Sequence, residues 1–162
     1  MFKIGEKIIY PANGVGIIDD IKEMEISGTK EVFFIIRILA DNSKIMIPKS
    51  KAEEVGIRSL ITNEEFDQIV AILKSNTSQL ELSTKWSKRQ REYQELIKSG
   101  SIFDITRILK NLTELQSQKE LSYSEKKILE NVKKMLTSEM AHVKNIDQSE
   151  VEEMIDTLIE KN

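Results

Sequence analysis

The chain has 162 residues, 40% of them apolar and 31% charged, with a formal net charge of −3; this balance fits one globular domain or two small ones and excludes a chain too polar to fold. No apolar run approaches the roughly 20 residues that a membrane-spanning helix needs, and the lack of cysteine rules out disulfides and thiolate chemistry. The charge is uneven: residues 1–80 carry 10 basic and 12 acidic side chains, residues 81–145 carry 13 and 9, and residues 146–162 carry 1 and 6, so only the middle block attracts a polyanion.

Met1 is followed by Phe-Lys-Ile-Gly rather than by a basic start, an apolar stretch and a small-residue cleavage site, so a cytosolic location is expected. The first 60 residues then read as short strands. Ile8–Tyr10, Val15–Ile21, Val32–Leu39 and Ile45–Ile47 are β-branched or aromatic runs. Pro11, Asn13 and Gly14, then Ser27-Gly28-Thr29, then Asp41-Asn42-Ser43 separate them with residues that tolerate tight turns. A small antiparallel sheet or barrel is expected. A helix should follow from near Thr62 to near Lys74, with Glu65 three residues after Thr62 as in a capping box.

Ser75 to Gln79 is polar and lacks periodic apolar residues, which predicts a linker there. The expected fold class is therefore a two-domain α+β chain, with a β module and its terminal helix over residues 1–75 and an all-α bundle over 76–162. Within the second part, one helix should run from about Thr84 to Lys98 and a second from about Ile102 to Gln116 with Ser101 as N-cap. A third should begin after Ser122, with Glu125 completing another capping box. A fourth should begin after Asp147 or Ser149, where Glu150 and Glu152 suit the positive end of the helix dipole. Ile102, Ile105, Leu109 and Leu112 recur at threes and fours, as do Ile128, Val132 and Leu136, and Val151, Ile155 and Leu158.

No constellation for catalysis assembles from these residues. The single histidine, His142, has no second histidine or cysteine near it and reads as a surface residue close to a helix end rather than a ligand or base. Gly14-Val15-Gly16 lacks the third glycine of a dinucleotide fingerprint, since position 19 is Asp19 and a strand follows. A tight hairpin turn is the expected reason for both glycines.

The most distinctive segment is Ser83-Thr84-Lys85-Trp86-Ser87-Lys88-Arg89-Gln90-Arg91, with four cations, no acid and the only tryptophan of the chain. Such a segment suits phosphate binding through counterion release, and a large apolar side chain beside it suits insertion at a minor groove. Two readings of Trp86 stay open on pattern alone. It stands seven residues before Tyr93 and near the Leu96–Ile97 stripe, which is also core spacing.

Residues 2–18, FKIGEKIIYPANGVGII, resemble the opening of the CarD/CdnL family of bacterial transcription factors. IRILADNSKIMIPKSKAEEVGIRSL, TKWSKRQREYQELIKSGSIFDITRILKNL and LSYSEKKILENVKKMLTSEMA resemble the same family in the same order. The β part alone is shared with the polymerase-interacting module of the transcription-repair coupling factor; the Trp-containing helical half separates the two. The resemblance implies a Tudor-like or SH3-like β module that binds the RNA polymerase β subunit by adding to a sheet edge, with Ile36, Met46 and Pro48 as contacting side chains. Where some relatives carry arginines at this surface, the matching positions here are Met24 and Met46. It further implies promoter contact, without long sequence recognition, by Trp86, Lys88, Arg89 and Arg91 in the minor groove near the upstream edge of the bubble, lengthening the life of the open complex. A monomer without cofactor, metal, catalysis or membrane partner, associated with the nucleoid, is expected. The alternative is a protein-interaction adaptor whose helical half is a structural bundle with Trp86 in its core. Asn13 stands where many relatives carry His or Gln, and the acidic last helix is left without an assigned role.

Overall fold

In a computed structural model, which describes residues 2–75, 80, 82–99 and 101–160, the chain divides into two compact units between Leu60 and Ile61. The first is a five-stranded antiparallel sheet and the second is helical.

The sheet contains β1 (Lys7–Tyr10), β2 (Gly14–Ile26), β3 (Thr29–Ile38), β4 (Lys44–Pro48) and β5 (Arg58–Ser59), in the order β4-β3-β2-β1-β5. Each predicted turn is present. Ser27 and Gly28 join β2 to β3 with both φ angles positive, at 52° and 79°, the twist-compatible two-residue hairpin geometry. Between β3 and β4 the Asp41 carboxylate accepts from the Ser43 amide at 3.0 Å and from its hydroxyl at 2.6 Å. The Ser43 hydroxyl and amide hold this carboxyl below its usual range. At their shared hairpin β2 and β3 run further than the predicted apolar runs do, because the Lys22–Ile26 and Thr29–Glu31 ends pair through the backbone while their side chains, Met24 and Ile26 included, stand largely in water.

Ile8, Ile18, Phe34, Ile36, Ile38 and Ile47 cluster on one face of the sheet with Ala52 of the short helix α1 (Ala52–Val55) and with Ile57. The two early glycines serve different ends. Gly14 has φ of +90°, as a turn residue should. Gly16 lies inside β2 opposite Ile8, and a Cβ there would stand 2.9 Å from Ile36 Cγ2 and 3.3 Å from the Arg37 carbonyl oxygen. The hairpin-turn explanation is thus corrected for Gly16, which is needed for close approach. Gly16→Ala is expected to destabilise the first unit by about 1–3 kcal/mol through overpacking, read as a lower midpoint in its denaturant unfolding curve.

The second unit comprises α2 (Asn63–Lys74), α3 (Trp86–Lys98), α4 (Ile102–Gln118), α5 (Tyr123–Lys144) and α6 (Gln148–Glu160). Thr62 and Ser122 are N-caps with reciprocal bonds to Glu65 and Glu125, and Ser101 caps α4 from the Asp104 amide, as the sequence pattern predicts. α5 ends at Asn145 in the left-handed region, with φ of 55°.

The division at 60/61 differs from the predicted one at 75/76, and α2 is the reason. Its buried stripe of Phe66, Ile69 and Leu73 belongs to one apolar cluster with Tyr93, Leu109, Val132, Met140 and Val151 from the other helices. Its first turn is held from α5, where the Glu139 carboxylate accepts from the Ile61 amide at 3.0 Å and the Lys144 ammonium stands 4.5 Å from the Phe66 ring centre. Its last turn is held from α4, where buried Lys110 donates to the Ser75 carbonyl and hydroxyl oxygens, a cation placed where helix carbonyls welcome one. Burial pushes the Lys110 ammonium pKa down, with the Glu114 charge opposing. Of the predicted linker, residues 76–79 lie outside the described residues.

Candidate functional site

The residues singled out from the sequence fall on two surfaces, one in each unit. On the sheet, β4 pairs with β3 alone among the described residues and forms an edge. The Ile38 amide donates to the Ser43 carbonyl at 2.8 Å. Antiparallel alternation from that bond turns the backbone groups of Ile45 and Ile47 toward β3 and those of Lys44, Met46 and Pro48 outward. Pro48 has no amide to offer, so the outward donors are Lys44 and Met46, the part of the edge open to an added strand.

Cross-strand partners share a face, which sorts the predicted polymerase-contacting side chains. Met46 pairs with Ile35, Pro48 with Phe33, and Met24 with Glu31, all odd-numbered on β3; Met24, Met46 and Pro48 therefore project from one face. Met46 is 53% exposed. Ile36 projects from the other face and is 0% exposed in the sheet's core. As a direct contact Ile36 is corrected: a side chain sealed against Gly16 and the core cannot reach a partner, and its part is to support the strand beside the edge. Its sequence signal was ambiguous because a β-branched residue in a strand suits a core and a contact equally.

In the second unit, α3 opens on Trp86 with Lys85 at the N-cap position, where no side chain accepts from the first turn. The buried stripe of α3 passes through Tyr93 and Ile97 and does not extend to its first residue, where the indole is 51% exposed. Core spacing fails here because the helix begins at Trp86, a full two turns before Tyr93. Lys85, Lys88 and Arg91 are exposed around the start of this helix. Lys88 and Arg91 share a face at i,i+3 spacing, as the wheel predicts. Lys85 belongs with them although the expected site residues omit it.

Arg89 departs from the set. Its side chain is 16% exposed and its guanidinium lies 3.5 Å from the Glu125 carboxylate, itself 2% exposed. A second nitrogen donates to the Thr84 carbonyl at 3.4 Å. As a freely presented phosphate ligand Arg89 is therefore corrected: its charge is spent on Glu125, and it fixes the chain entering α3. Glu125 in turn accepts from the Ser122 amide at 3.0 Å, and the Ser124 hydroxyl donates to Gln90 at 3.1 Å. Burial raises the Glu125 pKa, but the Ser122 amide and hydroxyl with the Arg89 and Lys119 charges outweigh it and hold the carboxyl below its ordinary value. The pairing links residues 36 apart in sequence, which no periodicity along α3 could signal.

His142 lies half-buried in the last turn of α5. Among the described residues no group of three or more His, Cys, Asp or Glu side chains is arranged to hold a metal ion, and no helix is long and apolar enough to cross a membrane.

Two family models match the chain: the CarD-like/TRCF RID domain over residues 2–61 and the CarD C-terminal domain over residues 68–156. The chain is 32% identical over 151 residues to the protein named "Putative transcription factor YdeB" of Bacillus subtilis (strain 168), covering 93% of this chain and 97% of that one. Similar solved structures include the 72-residue N-terminal domain of Myxococcus xanthus CarD, 29% identical, with a TM-score of 0.32 over 36% of this chain and 79% of that one. CdnLNt from the same organism is 40% identical, with a TM-score of 0.34 over 39% of this chain and 89% of that one.

Proposed function

The chain belongs to the CarD family of transcription regulators, and from that premise we propose that it acts at initiation by binding the RNA polymerase β subunit and stabilising the promoter open complex. The sheet unit supplies the tether. A strand of the polymerase adds along β4, taking the outward amides of Lys44 and Met46, while Met46 and Pro48 supply side-chain contact and selectivity. With methionines at 24 and 46, apolar contact carries more of this interface than charge does.

The helical unit supplies the DNA contact. Trp86 enters a distorted minor groove near the upstream edge of the bubble, and Lys85, Lys88 and Arg91 neutralise flanking phosphates. The observation that carries this reading is the half-exposed indole at a helix start among exposed cations. Leaving the indole half-exposed forgoes apolar burial in the free protein that insertion into DNA would recover, and tethering raises the local concentration enough for weak DNA affinity to suffice. The adaptor alternative requires Trp86 in the core, and its exposure disfavours that.

The test is the lifetime of promoter complexes challenged with competitor. Trp86→Ala in the full chain is expected to shorten the open-complex lifetime about five-fold or more, the scale of one lost aromatic–base contact, with polymerase affinity unchanged. An unchanged lifetime would rule out the wedge.

A further inference from the structure

The start of α5 carries an exposed aromatic that the fold does not use. Tyr123 is the first residue of α5 and is 77% exposed, the most exposed large side chain among the described aromatic and aliphatic residues. It is not the cap, which is Ser122, and tyrosine has no helix-forming advantage at such a position. Lys127, one turn on, stands 5.5 Å from the centre of its ring. Exposed Lys119 and Lys126 add positive charge nearby, Lys126 facing Glu120 at 3.4 Å.

The fold brings this residue to the same end of the helical unit as Trp86. Arg89 grips the Thr84 carbonyl, two residues before Trp86, and the Glu125 carboxylate, two residues after Tyr123. The Gln90–Ser124 hydrogen bond adds a second clamp between the first turns of α3 and α5. The capping box fixes how α5 begins. Both aromatics are thus presented from rigid, mutually clamped helix starts, each beside lysines.

We propose that Tyr123, with Lys127 over its ring, is a second aromatic contact of the nucleic-acid surface and stacks on an unpaired base at the junction that Trp86 engages. This rests on the open-complex reading given above. Aromatic side chains accept any base on their faces, and a neighbouring ammonium adds attraction to the backbone that bears it. Charge complementarity favours DNA over protein: Lys85, Lys88, Arg91, Lys119, Lys126 and Lys127 stand around the two rings, and the acids beside them among the described residues include Glu92, which accepts from the Ser83 amide, Glu120, held by Lys126, and Glu125, held by Arg89.

The experiment compares Tyr123→Ala, Tyr123→Phe, Trp86→Ala and the Trp86/Tyr123 double variant in the full chain, measuring open-complex lifetime under competitor challenge and affinity for DNA-free polymerase. Thermal melts serve as the folding control; an exposed side chain should leave them unchanged. Tyr123→Ala is expected to shorten the lifetime about five-fold or more, with Tyr123→Phe near wild type and DNA-free affinity intact. Wild-type lifetime for Tyr123→Ala alongside a shortened one for Trp86→Ala would overturn this inference and leave the Trp86 reading standing. Wild-type lifetimes for both would overturn both. Shortening by Tyr123→Ala alone would support the present inference and remove the wedge. Weaker binding of Tyr123→Ala to DNA-free polymerase would assign the ring to a protein contact and overturn the proposal.

Discussion

Tyr93→Ala is expected to cost the helical unit about 3–5 kcal/mol, the range for emptying a large buried aromatic site. Tyr93 is fully buried, and its hydroxyl oxygen accepts from the Asn111 amide of α4 at 2.6 Å. Burial pushes its phenol pKa up, against the hydrogen bond from Asn111. The ring is the chief point at which α3 enters the apolar cluster, joined only by Ile97 as a second fully enclosed side chain of that helix. Domains of this size carry a total stability of roughly 5–15 kcal/mol and lose about 4–8 °C per kcal/mol. Calorimetry should therefore show the helical transition falling by at least about 12 °C. Tyr93→Phe, which keeps the ring and gives up one hydrogen bond, should cost about 1 kcal/mol. Equal losses for the two variants would mean that the hydroxyl, rather than the ring, anchors α3.

Glu125→Ala is the second large effect, at about 2–4 kcal/mol, because it removes the capping box of α5 and leaves the poorly solvated Arg89 guanidinium without its carboxylate. Glu125→Gln retains an acceptor for the Ser122 amide and should lose less. The pH dependence has a definite sign. The folded-state pKa is held below the ordinary value of 4.5, so the unfolded chain takes up this proton first and the native state is favoured while the carboxyl is ionised. That contribution is complete above the unfolded value and fades as pH falls through the folded one. The stability gap between wild type and Glu125→Gln should therefore be widest near neutrality and close below pH 4.5. A gap independent of pH would show that Arg89 draws its stabilisation from elsewhere. Both variants should also loosen Trp86, since Arg89 fixes the chain that enters α3.

The local grammar of this chain was legible. Ser27-Gly28 and Asp41 specified their turns, and Thr62/Glu65, Ser101 and Ser122/Glu125 specified three helix starts, because each acts over three or four residues. Partnerships across long separations were not. The sequence gives no sign that Arg89 turns to Glu125 rather than to solvent, that Lys110 is buried against Ser75, or that Gly16 makes room for Ile36. β5 is two residues long and paired only through β1, too short to leave a periodic signal. The candidate site was legible as a basic run with one tryptophan. Which of its cations face solvent depended on packing between α3 and α5.

The allegiance of α2 dictates where the chain can be cut. A fragment ending at residue 60 retains every member of the sheet's buried cluster. One ending at residue 75 drags along Phe66, Ile69 and Leu73 stripped of the helices that cover them, a bare greasy stripe that invites self-association and sticks to unrelated proteins in any capture assay.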